Sequence, residues 1–524
     1  MLRKKISSWS AALLGASLFA TTTGLAAEPD RSQILLDLLV KRGVLTSSDA
    51  DAFQKQVDAS AATMAAAPAA PASAAPASGG STAVVKTGGG ASPLSFAIGN
   101  AQFTPLGFVD FTSVSRSTNV GSGIGTNFAG IPYGNSSAGQ LSETRFSAQN
   151  SRIGLRIDSA VNDTKVLGYL EADFLGNAPT NLGVSSNAAT TRMRVYFADL
   201  KWHDWEFLAG QDWSTLTPNR TGISPIPGDI FFTMNMDTNY QAGLVWARQP
   251  QVRIVYHASP EFTAGISLEN PDQYVGGTNG SAAVTLPTGF STGLVDSGAA
   301  TSSPNSMPDI IGKLAFDTKV NDLPWHVEVA GLYRSFKINT FTTGATPVNS
   351  NNSASGYGGS FNVSLELVKD LRFVGNAFAS KGGGRYVFGQ APDFIVNPPD
   401  ASGAYTISPL STYSYLTGLE WQAAPKTSVF GYYSTVEIGR KTAAQSSGSL
   451  VGYGYTGAPN SQNKSITEYT IGAVQTLWKN PAYGALQIIG QGSYVDRKPW
   501  YLAPGAPSDA HTSMLFLDLR YVLP

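Results

Sequence analysis

The chain has 524 residues, of which 14% are charged and 10% aromatic, with 55 glycines, no cysteine and a formal net charge of −1. A soluble protein carries about 25% charged residues, so this low share suits a surface that meets lipid. The lack of cysteine excludes a disulfide framework and thiolate chemistry. The near-neutral balance argues against a nucleic-acid partner.

Arg3, Lys4 and Lys5 precede an apolar stretch from Ala11 to Ala20, and small residues close it at Gly24 to Ala27. This pattern predicts a signal peptide over residues 1–27. Without its three basic residues the charge of −1 becomes −4. No later run of about 18 apolar residues exists, so no transmembrane helix is expected in the exported chain. Over residues 28–58, Ile34, Leu35, Leu38 and Leu39 recur at helical spacing. Gly43 breaks that helix, and Thr46 or Ser47 caps a second one carrying Phe53 and Val57 on one face. So short a helical pair cannot bury its stripe alone. It is expected to self-associate as a coiled coil or to pack on a partner. Residues 59–93, with Pro68, Pro71 and Pro76 among alanines and then Gly88 to Gly90, read as a linker.

From residue 101 to 524 the apolar period is two. Ile153, Leu155 and Ile157 alternate with Arg152, Arg156 and Asp158. Val166, Gly168, Leu170, Ala172 and Phe174 alternate with Lys165, Tyr169, Glu171 and Asp173. Met193, Val195 and Phe197 alternate with Arg192, Arg194 and Tyr196. The last segment sets Leu515, Leu517 and Leu519 against Asp518 and Arg520. A soluble sandwich also alternates, but here short and long links take turns. Asn162-Asp163, His203-Asp204 and Lys369-Asp370 are short; residues 214–240, 270–307 and 382–409 are long. The stretch 339–355 also reads as a long loop. Short turns at one end and long loops at the other predict an all-β transmembrane antiparallel barrel of about 16 strands, an even number as bacterial single-chain barrels require. Residues 241–258 are read as one strand, with Ala242 to Leu244 at the inward end of the preceding loop. Both termini then lie at the short-turn, periplasmic end. Trp202, Trp205, Trp246, Trp325, Trp421, Tyr432, Tyr433, Trp478 and Tyr521 near strand ends read as interfacial girdles.

Parity nominates the inward side chains. Arg152, Arg156, Arg192, Arg194 and Arg253 are expected to face the lumen, as are Asp110, Glu171, Asp173, Glu366, Glu420 and Asp518. Loop 214–240, stiffened by Pro218, Pro225 and Pro227, is the candidate to fold inward. It carries Arg220, Asp229 and Asp237. Acidic groups on such a loop facing arginines on the wall set a transverse field that orients solutes. The alternative is that these charges mainly pair and stiffen the wall. Glu171 and Asp173, two apart on one face, also have the spacing of a carboxylate pair or calcium site, but acids lining a wet barrel are commoner. The four histidines, His203, His257, His326 and His511, sit in no catalytic or zinc motif. No catalytic residue, metal or cofactor is therefore expected, and the chain is not read as an enzyme.

The order Ser151-Arg-Ile-Gly-Leu-Arg-Ile-Asp158, Gly168 to Phe174, Arg192 to Asp199, Leu208-Ala-Gly-Gln-Asp-Trp213 and Arg248-Gln-Pro-Gln-Val-Arg-Ile254 resembles the DcaP-like outer-membrane porins. It is more distantly similar to the phosphate-selective porin O/P group. The stretch Ile34 to Thr46 is similar to the N-terminal helical segment of the same proteins. The resemblance covers nearly the whole mature chain and is specific in its first half. It implies a homotrimer of sixteen-stranded barrels in the lipid of the bacterial outer membrane, with a periplasmic coiled coil. It further implies passive diffusion of small, often anionic solutes such as dicarboxylates or inorganic anions. The lysine series of the phosphate-selective members is missing here, and the chain ends in Leu523-Pro524 rather than an aromatic. A second class of function stays open: Arg31, Asp30 and Asp37 on the helical segment suit a structural anchor between outer membrane and envelope.

Overall fold

Alternating residues produce a barrel only if the chain reverses tightly at one end, and the backbone does so. Asn162 and His203 hold φ of 52° in their turns, and Asn321, Asp322 and Asp370 are likewise left-handed. Turns of this hand match the twist of the strands they join, and Asn and Asp tolerate the conformation best after glycine. The computed structural model describes Lys41, which is helical, and residues 92–176, 189–230, 233–236, 240–277, 301–303, 307–341, 349–388, 390–401 and 403–524. The signal-peptide and helical segments expected over 1–58, Lys41 apart, lie outside the described residues, as do nearly all of the linker and Asp237.

Sixteen long strands follow in order. They are β1 (Ala101–Arg116), β2 in two pieces (Glu143–Ser147 and Arg152–Val161), β3 (Thr164–Asp173), β4 (Arg192–Trp202), β5 (Trp205–Trp213) and β6 (Arg248–His257). Next come β7 (Phe262–Glu269), β8 (Asp309–Val320), β9 (Leu323–Phe341), β10 (Asn349–Val368), β11 (Leu371–Lys381) and β12 (Ser411–Ala424). The series ends with β13 (Thr427–Ile438), β14 (Asn463–Asn480), β15 (Gly484–Pro499) and β16 (Ala510–Val522). Each pairs antiparallel with its neighbours. β1 pairs with β16 at Phe108↔Val522 and with β2 at Phe108↔Arg152, so the sheet closes on itself. Closure leaves no unpaired edge, the condition for a strand-built membrane protein. The short strand Phe96–Ile98 folds back antiparallel on the start of β1, Ile98 opposite Ala101, and Ser92 Oγ donates to the Pro524 carbonyl at 2.8 Å, so the two ends of the described barrel meet at its short-turn end.

Residues 241–258 hold one strand rather than two, Arg248–His257, and the inward loop runs on to Ala247 rather than ending at Tyr240. The long loop expected over 339–355 is shorter: β9 and β10 pair as far as Phe341↔Asn349. The polar Ser-Asn run there has a strand's hydrogen bonds without an apolar face, so it carries no hydrophobic period to read.

The two faces of the wall have opposite character. Ile153 is 55% exposed and Leu517 56%, facing outward, whereas Arg520 and Asp518 on the next positions are 1% exposed and paired inside. Apolar-out and polar-in is the barrel pattern for lipid outside and a polar interior. One expected face is wrong. Met193 is exposed, but Val195 and Phe197 are buried. A bulge is responsible: Glu171 opposes Val195 while Ala172 opposes Met193, so the register steps over Arg194. The extra residue turns every later side chain of β4 to the other face. Phe197 then stacks on Tyr169 inside the barrel, ring centroids 5.6 Å apart.

The girdle also needs correction. Trp202, Trp205, Trp421 and Trp478 are exposed on the outer face, with Trp205 against Tyr256 and Trp478 against Tyr521. Trp246 and Tyr432 are buried within. The Tyr432 hydroxyl donates to Glu420 at 2.9 Å, a partner that no lipid-facing position offers.

Candidate functional site

The segment between β5 and β6, residues 214–247, leaves the wall and runs through the interior. Its neck is closed by Ser214 N donating to the Ala247 carbonyl at 2.8 Å. Polar wall groups then accept from its backbone. Thr215 N reaches Glu269 on β7 at 2.8 Å, and Asn219 N reaches Glu328 on β9 at 3.3 Å. Gly222 N donates to Asp317 on β8 at 2.9 Å. Further along, Met234 N donates to Tyr432 on β13, Met236 N to Gln491 on β15, and Ala242 N to Glu468 on β14. The segment is therefore tied to strands on both sides of the lumen. Carboxylates accepting backbone N–H bonds are strong, directional anchors. Gly243 sits within it at φ +75°, and a Cβ there would lie 2.7 Å from the Thr435 carbonyl oxygen. Only glycine fits that approach.

Arg220 and Asp229 both lie on this segment. The Arg220 guanidinium forks onto Glu420 of β12 at 2.8 and 2.9 Å, a bidentate pair. The Asp229 carboxylate accepts from Ser224 of its own loop at 3.0 Å. Along this crossing the loop offers a cation and N–H groups to wall acids, while Asp229 shares a cavity with the wall cations Lys319 and Arg372.

The wall arginines are paired. Arg152 and Arg194 contact Glu171 at 3.4 and 2.6 Å; Arg192 and Arg194 contact Asp173 at 2.6 and 2.8 Å. Arg253 lies 3.3 Å from Asp212 on β5, and Arg156 lies 2.7 Å from Asp158 on its own strand. The structure thus brings Arg152, Arg192, Arg194, Glu171 and Asp173 into one network. Arg253 and Arg156 stand apart from it. The bulge at Arg194 brings that guanidinium within reach of both acids. Glu171 and Asp173 are therefore held by arginines on both sides rather than facing one another across a reaction centre. Among the described residues no group of three or more His, Asp or Glu could hold a metal ion.

Arg248 is different, and parity misses it. It opens β6 on the same parity as the outward Val252 and Ile254, yet it lines the interior, because the chain has just turned in from the buried loop. Its Nη1 is buried and has no hydrogen-bond partner, and its guanidinium sits 5.4 Å from the Trp213 ring centroid. Arg248, Trp246 and Phe388 form the wall shared by two cavities, of about 450 and 320 Å³. Phe388 stacks on Trp246 at 4.6 Å and meets Phe128 of the first outer loop edge-on at 6.4 Å. Phe388 is held at φ 57°, a conformation costing a bulky residue about 1–3 kcal/mol. Its stacking offsets that strain. Nearby in the β11–β12 loop, Asp393 is buried, and burial pushes its carboxyl up; Arg334 at 2.7 Å and two backbone N–H bonds oppose that shift.

The larger cavity is bounded by outer-loop residues 122–128, Leu175 and Arg192, on the long-loop side of the inward segment. A further cavity of about 590 Å³ is lined by Arg220, Asp229, Asp317, Lys319, His326 and Arg372, on the short-turn side. Polar space thus lies on both sides of the loop.

Set beside solved structures, the chain is similar to the outer membrane channel DcaP of Acinetobacter baumannii, with a TM-score of 0.55 and 17% identity over 81% of this chain and 98% of that one. The fold is that of a porin-type barrel. Lower similarities include an anion-selective porin from Comamonas acidovorans (TM-score 0.44, 13% identity, 81% and 100% covered) and OprB of Pseudomonas putida (0.42, 11%, 80% and 94%). No protein-family model matches, and neither does any curated relative. In this porin-type barrel the arginines that parity nominates are paired, Arg192 and Arg194 among them at the edge of the 450 Å³ cavity, while Arg248, Trp246 and Phe388 sit where loops enter the lumen.

Proposed function

We propose that this chain is a bacterial outer-membrane channel for passive diffusion of small hydrophilic solutes, with a preference for anions. The observation that carries it is segment 214–247, tied by acids and amides to strands on both sides of a closed barrel, with polar cavities above and below. A loop held across a wet barrel narrows it into a size filter, and the charge beside the gap supplies the ionic filter. The cavity of about 450 Å³ has three arginines in its lining, Arg192, Arg194 and Arg248, and no described acid; Glu171 and Asp173 balance the first two from behind, which leaves the charge of Arg248. That surplus supports anion preference. The resemblance to DcaP-like porins extends the proposal to dicarboxylates and inorganic anions as cargo, to a homotrimer, to export by the signal peptide 1–27 and to a periplasmic coiled coil over 28–58. The short-turn end, where both ends of the barrel meet, is then the periplasmic one. Purified protein in a planar bilayer is expected to open in steps of three. Unbroken bilayers across repeated insertions would instead favour an envelope anchor.

A further inference from the structure

We propose that Arg248 and the Trp246–Phe388 stack form a solute subsite for organic monoanions with an apolar body, rather than for dianions. This rests on the diffusion-channel proposal and narrows it, since the subsite disfavours the dicarboxylates that the resemblance implies. Buried donors without partners are uncommon and call for an explanation. The nearby cations Arg192 and Arg194 are already held by Glu171 and Asp173. Arg248 has no ion pair among the described residues, and its Nη1 is buried without an acceptor. Trp213 covers the guanidinium at 5.4 Å, a cation–π contact that leaves the N–H edge as the remaining polar surface. Nη1 itself is sealed off, so a carboxylate in the cavity meets the remaining, open part of the guanidinium through a charge-assisted hydrogen bond.

The rest of the lining decides the class. The cavity presents Ile124, Phe128, Leu175, Tyr240, Trp246 and Phe388. At about 450 Å³ it falls within the range of small-ligand sites. An apolar body leaving water for these aromatic faces gains by the area it covers. A second carboxylate would have to lie among the same aromatics without a free counter-ion, and burying an unpaired charge is costly. One free guanidinium with an apolar enclosure therefore matches one carboxylate on an apolar body.

The test uses the full-length protein in planar bilayers carrying KCl current, with benzoate, acetate and succinate added in turn at matched ionic strength. Benzoate is expected to interrupt the current at a concentration at least ~10-fold lower than acetate or succinate. Arg248→Gln is expected to raise the half-blocking benzoate concentration ~10-fold, the loss of one charge-assisted pair. Arg248→Lys keeps the charge and is expected to restore part of the block, and Phe388→Ala weakens benzoate block without changing that by succinate. KCl conductance of each variant checks that the barrel is intact. Should a variant fail to assemble, the wild-type ranking of the three anions still decides. Equal block by benzoate and acetate, stronger block by succinate, or unchanged block in Arg248→Gln would overturn the subsite while leaving the channel in place. No openings in the wild type would remove both.

Discussion

Arg194 gathers two acids, and its loss is the sharpest single-residue test of the wall. Its guanidinium meets Glu171 and Asp173 at 2.6 and 2.8 Å with 3% of the side chain exposed. Arg194→Ala leaves two buried carboxylates short of a cation. Breaking a buried pair from one side costs about 3–5 kcal/mol. The urea midpoint for unfolding from lipid vesicles should fall accordingly, and an unchanged midpoint would show the network to be solvated. The pairing itself was half legible. Ile153 and Leu170 against Arg152 and Glu171 gave the inward side by period two, but no local rule places the bulge that turns Val195 and Phe197 inward. Arg248 was hidden for a related reason: its parity belongs to the outer face, and only the incoming loop brings it inside.

At the level of elements, the inward segment is held by many modest anchors rather than one. Pair deletions should therefore matter more than single ones. Arg220→Ala alone leaves Glu420 with the Tyr432 hydroxyl, and is expected to change single-channel conductance little. Arg220→Ala combined with Glu328→Gln also loosens the bonds at Asn219 and Lys313, and is expected to raise conductance by more than the sum of the two. A strictly additive pair would show the anchors to be independent. Gly243→Val is expected to act more strongly than either, since the new side chain meets the Thr435 carbonyl. The segment's inward course was read from its prolines and length, whereas its anchors were not. Glu269, Glu328 and Glu468 accept from loop backbone across 54, 109 and 226 positions of sequence, and backbone N–H groups carry no residue-type signal.

Across the whole molecule, two solvents set the pattern. Leu517 on β16 faces outward, and Leu517→Arg should destabilise the barrel by about 2–4 kcal/mol near the bilayer midplane. A change at the neighbouring inner position, Asp518→Asn, should act through Arg520 and Asp110 instead and leave lipid contact intact. Strand count, closure and turn alternation were legible because each follows from period two and from the two classes of link. The polar hairpin of β9 and β10 was not, because strands that extend past the lipid lose the apolar face that marks them.

The most direct measurement is single-channel recording in planar bilayers with a salt gradient across the membrane. Openings in three steps with a reversal potential of anion-selective sign are expected, reduced toward zero by Arg248→Gln. Openings of cation-selective sign would contradict the charge assignment of the lumen, and a silent bilayer would contradict the channel itself.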